Sequence, residues 1–201
     1  MNRPDESSRL PRAVLFDMDG TLTRPMLDFP RIKAELGIGA RPILEALADM
    51  DPDARRAAEA VLLRHEEEAA AGSALNEGCR GVLDWLLARS VGTALITRNS
   101  RASVFTVLDR HGLRLDVTVA REDAPPKPDP RPLRLACERL GVAPAEAWMV
   151  GDGQYDVEAG AAAGVRTVWV SHGRTRAFDA TPWRTVRDLC ELQQFLERAV
   201  S

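Results

Sequence analysis

The sequence predicts an α/β fold built on a parallel sheet, and two observations carry that reading. Five short apolar runs recur: "AVLF" at 13–16, "GTALIT" at 92–97, "DVTVA" at 116–120, "AWMVG" at 147–151 and "TVWVS" at 167–171. They lack the apolar/polar alternation of a half-exposed strand, as parallel strands covered on both faces do. The segments between them carry helical spacing and helical start and stop residues, so strands and helices alternate along the chain.

The first run ends on two carboxylates one residue apart, Asp17 and Asp19, in "FDMDGT". A much longer stretch than a normal crossover then reads helical: "DFPRIKAELG", "RPILEALADM" and "DPDARRAAEAVLLRHEEEAAAG". Connections of that length usually carry function. Residues 24–76 are therefore expected to form a small helical cap inserted after strand one, with 12–23 and 77–201 as the core. Within the cap, Glu66, Glu67 and Glu68 are expected on a solvated helix face, and His65 as a surface or packing residue. Downstream, Ser100 precedes "RASVFTVLDRHG", where Val104, Leu108 and His111 share a face and Gly112 ends the helix. "PRPLRLACERLG" stops at Gly141 and "QYDVEAGAAAG" at Gly164. "VRDLCELQQFLERAV" closes the chain, with Leu189, Leu192, Leu196 and Val200 at helical spacing. Residues 1–11, polar and containing Pro4 and Pro11, are expected to be a flexible tail.

At 201 residues, 45% hydrophobic and 28% charged, the chain suits one globular domain with a modest insertion. A net charge of −3 and scattered Lys and Arg argue against a nucleic-acid partner. No apolar stretch approaches the roughly 20 residues that span a bilayer, so no membrane partner is expected. Met1 to Arg12 lacks the apolar middle of a secretory signal, which points to the cytoplasm. Cys79, Cys137 and Cys190 are odd in number and form no CxxC pair, and read as reduced structural thiols rather than zinc ligands.

In an open parallel sheet, ligands gather at the carboxyl ends of the strands. Strand one ends in "DMDGT", strand two in "TRNS" and strand four in "GDGQYD", and the loop after strand three contains "APPKPDP". Singly, each has a plain explanation: a turn at Asp19-Gly20, a helix cap at Ser100, a solvated Lys127, an Asp156 that complements a helix dipole. Together they describe one chemistry. Asp17, Asp19, Asp152 and Asp156 converging in one crevice would raise one another's pKa values unless a cation sat among them. An all-oxygen donor set favours Mg2+, which also leaves coordination positions for a phosphate oxygen. The Lys127 ammonium and the Thr97 hydroxyl beside that metal complete a site for a phosphoryl group. The spacing of two between Asp17 and Asp19 lets one attack and the other transfer a proton.

"DMDGTLT", "TRN", "KP" and "GDGQYD", in that order, resemble the four motifs of the haloacid dehalogenase superfamily, and the helical insertion resembles that superfamily's small cap. The resemblance implies a Rossmann-like five-stranded sheet of order 5-4-1-2-3. It further implies an aspartyl-phosphate on Asp17, and acid-base work by Asp19, whose backbone carbonyl also binds the metal. Asp152 is then a metal ligand, Asp156 a ligand or the support of one, and Thr97 and Lys127 bind phosphate. Expelling a halide requires no proton donor while expelling an alkoxide does, so Asp19 separates this chain from the dehalogenases. Beside Thr97, where relatives often carry a small polar residue, stand Arg98 and Asn99. Arg98 is read as a surface arginine, with a reach to the substrate as the alternative. The resemblance implies a Mg2+-dependent phosphomonoester phosphatase of the phosphoglycolate phosphatase-like branch, whose partner is a small-molecule phosphate ester. Transfer to a sugar, as in β-phosphoglucomutases, and phospholigand binding without turnover are the competing readings. Asp28, Lys33 and Arg41 are possible selectivity residues, and monomer and homodimer stay open.

Overall fold

Six short strands make one parallel sheet: β1 Ala13–Phe16, β2 Gly92–Ile96, β3 Val117–Val119, β4 Ala147–Gly151, β5 Arg166–Val170 and β6 Arg184–Val186. The structure is a computed structural model that describes residues 10–199. Val200 and nearly all of the expected tail lie outside the described residues. The order is β3-β2-β1-β4-β5-β6, which contains the expected order and adds one strand beyond β5. The first five strands coincide with the apolar runs to within one residue at either end. β6 escaped the sequence reading because an edge strand of three residues, "RTV", with two of them exposed, is too short to show a period.

Register sets the site. Phe16, the last residue of β1, pairs with Leu95 on one side and Val150 on the other, so β2 and β4 each end one residue beyond β1. All of β1 and β4 is buried, which agrees with strands covered on both faces.

Eight helices accompany the sheet among the described residues: α1 Phe29–Leu36, α2 Ile43–Ala48, α3 Pro52–Gly72, α4 Cys79–Leu87, α5 Arg101–His111, α6 Arg131–Leu140, α7 Gln154–Ala163 and α8 Leu189–Arg198. The Ser100 side chain accepts the Ser103 N–H and caps α5, while Gly112, Gly141 and Gly164 close α5, α6 and α7 in the left-handed conformation. Leu15, Ile96 and Met149 of the sheet pack with Leu133 and Ala136 of α6 and Ala159 and Ala163 of α7. A Cβ on Gly160 would collide with Thr167, so glycine lets α7 lie close on β5.

Backbone packing divides the chain into two units. One runs to Arg24 and takes in Ala74–Arg98 and the chain from Arg114 onward; the other comprises Pro25–Ser73 and Asn99–Leu113. The second unit has a core of its own, with Ile32, Ile43, Ala46, Leu47, Ala58 and Leu62 buried together. It includes α5, which the sequence reading had assigned to the core: the Arg110 guanidinium donates to the Ser73 carbonyl, and the Ser73 hydroxyl lies 2.9 Å from His111 Nε2.

The expectation of a solvated acidic face fails at one residue. Glu67 and Glu68 are exposed, but Glu66 is 2% exposed and its carboxylate accepts the Ser100 N–H at the start of α5. Its neighbour His65 is buried against Glu35 at 2.7 Å. Asp28 caps α1 by accepting the Arg31 N–H, the Lys33 ammonium donates to the Ala40 carbonyl, and Arg41 pairs with Asp49. Each of these three residues thus has a local structural partner within its unit. Cys79, Cys137 and Cys190 are free thiols, and burial pushes the Cys79 thiol up to about 11. Among the described residues no helix is long and apolar enough to cross a membrane.

Candidate active site

Asp17 follows immediately where β1 ends, its N–H still donating to the Val150 carbonyl at 2.9 Å. The chain then turns sharply: the N–H groups of Thr21 and Thr23 both donate to the Met18 carbonyl, and Gly20 N–H donates to Thr23. Gly20 has φ of +81°, and a Cβ there would stand 2.5 Å from an Asp152 carboxylate oxygen. Glycine is required twice over, by conformation and by the closeness of the loop after β4. Asn76 ties the same turn down, its amide donating to the carbonyls of Thr21 and Thr23 at 2.8 and 2.9 Å.

Lys127 is buried at 2% exposure, and its ammonium donates to three acceptors: Asp17 Oδ1 at 2.7 Å, Asp156 Oδ1 at 2.5 Å and the Ile96 carbonyl at 2.9 Å. Burial works against the charged ammonium, but Asp156 and Asp17 outweigh it and hold the Lys127 pKa above its ordinary value. Asp156, in the first turn of α7, also accepts the Gly153 N–H at 3.0 Å. One residue therefore caps a helix and anchors the lysine. Thr97, 6% exposed, follows Ile96 at the end of β2, its N–H donating to the Val119 carbonyl.

Asp17, Asp152 and Asp156 each bring one carboxylate oxygen within 4.8 Å of the others. Burial raises the Asp17 carboxyl well above the usual carboxylate range; Lys127 opposes this, while Asp156 and Asp152 add to it. Asp152 is raised by burial first and by Asp156, against the Arg174 guanidinium. The donor set is all oxygen and its ionised form is short of positive charge, which is what a hard divalent cation supplies. The residues present thus fit Mg2+. The Asp19 side chain stands outside this trio, half-buried, with the Thr23 hydroxyl donating to its Oδ1 at 3.4 Å; its expected metal contact is by the backbone carbonyl.

The loop after β5 contributes groups that the sequence reading did not single out. Arg174 donates to Asp152 Oδ2 at 3.0 Å and to the Ser171 carbonyl, and His172 Nε2 lies 2.6 Å from the Gly20 carbonyl. The Trp169 indole N–H donates to the Asp152 carbonyl at 3.1 Å. The available signal was position alone, since "SHGRTR" follows a strand whose carboxyl end faces the same way as the others. Arg98, read as a surface arginine, is half-buried instead: its guanidinium donates to the Lys127 carbonyl and lies 4.4 Å over the Tyr155 ring.

Compared with known proteins, residues 25–164 match the family described as haloacid dehalogenase-like hydrolase. The chain belongs to that family. Among curated relatives, phosphoglycolate phosphatase 1 of Pseudomonas aeruginosa is 33% identical, with 98% of this chain and 84% of the relative aligned. The N-acetylmuramic acid 6-phosphate phosphatase of Pseudomonas putida is also 33% identical, over 81% of this chain and 83% of the relative. A hydrolase of Pseudomonas syringae shares the fold with a TM-score of 0.80 at 19% identity, covering 94% of this chain and 99% of that one. This hydrolase therefore has relatives at equal identity whose named substrates differ, a small acid phosphate and a sugar phosphate.

Proposed function

We propose that this hydrolase cleaves phosphate monoesters of small metabolites through an aspartyl-phosphate on Asp17, with Mg2+ held by Asp17, Asp152 and Asp156 and by the Asp19 carbonyl. The observation that carries the reading is the buried Lys127 ammonium bonded to both Asp17 and Asp156, beside a third carboxylate. Lys127 engages Asp17 through Oδ1, which leaves Oδ2 to attack phosphorus as the bond to the ester oxygen breaks. Asp19 gives its proton to the departing oxygen. It then takes a proton from a water that attacks the phosphorus of the aspartyl-phosphate, releasing inorganic phosphate and restoring both aspartates. Bound Mg2+ would neutralise charge on the transferring group. Lys127 and the Thr97 hydroxyl add donors to its oxygens. The insertion, residues 24–76, serves in this reading as the cap that selects the leaving group. The free thiols fit an enzyme of the cytoplasm.

The test is a panel of small phosphate esters, led by phosphoglycolate and N-acetylmuramic acid 6-phosphate, incubated with Mg2+ or with EDTA. Phosphate release that needs both the metal and Asp17 supports the proposal. Isomerised sugar phosphate without inorganic phosphate would overturn hydrolysis in favour of transfer, and tight binding without turnover would leave only a binding role.

A further inference from the structure

We infer that Arg98 is the positioning residue for Lys127. From the loop after β2 its guanidinium reaches the Lys127 loop and the first turn of α7, and holds the backbone from which the buried ammonium reaches Asp17 and Asp156. The kinetic part of this inference rests on the phosphatase reading; the structural part does not.

The need arises from the loop that carries Lys127. In "APPKPDP", residues 124–130, Pro125, Pro126, Pro128 and Pro130 have no N–H to donate. Asp129 N–H to the Pro126 carbonyl is a bond the loop makes within itself. A lysine side chain has four rotatable bonds, so its ammonium keeps one place only if its backbone does. Here that place is narrow, with three acceptors between 2.5 and 2.9 Å around one buried nitrogen.

Arg98 supplies a donor to this loop from the end of β2. Its guanidinium donates to the carbonyl of Lys127 itself. The same planar group lies 4.4 Å over the ring of Tyr155, in the first turn of α7 one residue before Asp156. Arg98 is in turn fixed at its backbone: it follows Thr97, which bonds β3, and its own carbonyl accepts from Arg121 at 3.4 Å. One side chain thus ties the loop after β2 to the Lys127 loop and to the helix that bears Asp156. A guanidinium lies over the ring and donates to the carbonyl from one planar fork, whereas an ammonium offers the same charge from a single compact point.

The chain offers a direct readout, because Lys33 and Lys127 are its two lysines. Full-length protein treated briefly with an amine-acetylating reagent is digested and the modification at each lysine compared by mass spectrometry, with Lys33 as internal reference. We expect Lys127 to be protected in the parent, and its labelling relative to Lys33 to rise several-fold in Arg98→Ala and only slightly in Arg98→Lys. In turnover, Arg98→Ala should lower kcat by roughly tenfold to a hundredfold, the range found when the support of a functional ligand is removed, with KM changed little. Arg98→Lys should recover part of that loss. Tyr155→Phe, which keeps the ring face, should resemble the parent in both measurements.

Labelling of Lys127 that stays as low in Arg98→Ala as in the parent would overturn the inference. So would a rise in KM at unchanged kcat, which would make Arg98 a substrate contact. If the parent hydrolyses nothing but Lys127 loses protection in Arg98→Ala, the phosphatase reading falls and the positioning role stands.

Discussion

Glu66 on α3 is as deeply buried as Asp156 in the core, 2% against 3% exposed, yet the two carboxylates sit in different electrostatic settings. Glu66 faces the start of α5, where the Ser100 N–H donates to it at 3.2 Å and the partial positive charge of a helix N-terminus favours an anion. Asp156 shares its surroundings with Asp17 and Asp152, and its neighbours are raised by burial and by mutual repulsion despite a lysine between them. The first acid meets a backbone donor that is part of the fold. The second group carries more negative charge than the fold neutralises. Burial of an acid is therefore no sign of chemistry by itself; convergence of several acids is.

The contrast can be broken or sharpened by substitution. Asp17→Asn should show the largest effect, a loss of roughly 10³-fold or more in phosphate release, as expected for a nucleophile, measured at saturating Mg2+. Lys127→Met leaves Asp17 and Asp156 crowded without their shared cation, and urea unfolding should show about 3–5 kcal/mol lost, part of it restored by Mg2+. Asp152→Asn should weaken Mg2+ binding, read by calorimetry, by at least roughly tenfold to a hundredfold. Glu66→Gln should cost only about 1 kcal/mol through the lost charge–dipole attraction and leave Mg2+ affinity as it was. If Glu66→Gln weakened Mg2+ binding as much as Asp152→Asn, the distinction between the two acids would collapse.

The smallest effect concerns a surface ion pair. The Arg131 side chain holds the Asp129 carboxyl down to about 2, below its unfolded value, so the pair's contribution is present above the unfolded pKa. It is lost as pH falls through the folded one. Arg131→Ala should raise the Asp129 carboxyl only part of the way to its unfolded value, because the backbone N–H of residue 131 still donates to it; NMR titration reads the rise, with almost no change in stability near neutral pH because solvent screens the pair.

Much of this architecture was legible in the chain because the relevant physics is local. Apolar runs of four to six residues mark buried strands, and the caps at Ser100, Gly112, Gly141 and Gly164 stand where sequence places them. Asp17, Asp19, Thr97, Lys127, Asp152 and Asp156 could be named because each sits at or just beyond the end of an apolar run, or in the loop after one, on the side where ligands gather. Other features depended on residues distant in sequence. Arg174 reaches Asp152 across 22 positions, Asn76 reaches Thr21 across 55, and His172 reaches Gly20 across 152. Glu66 looked like one more charge in a polar run until α5 packed over it, and Arg98 looked like surface until the Lys127 carbonyl and the Tyr155 ring came to either side.

By itself, then, the sequence determined the alternation of strands and helices, where helices stop, and which acids and lysine stand at strand ends, since period, capping and turn chemistry act over a few residues. Only the tertiary structure decided which acids converge, which buried acid meets a backbone donor, and which groups surround Lys127. Those outcomes depend on strand register and on which side chains meet through space, and neither leaves a pattern in the chain.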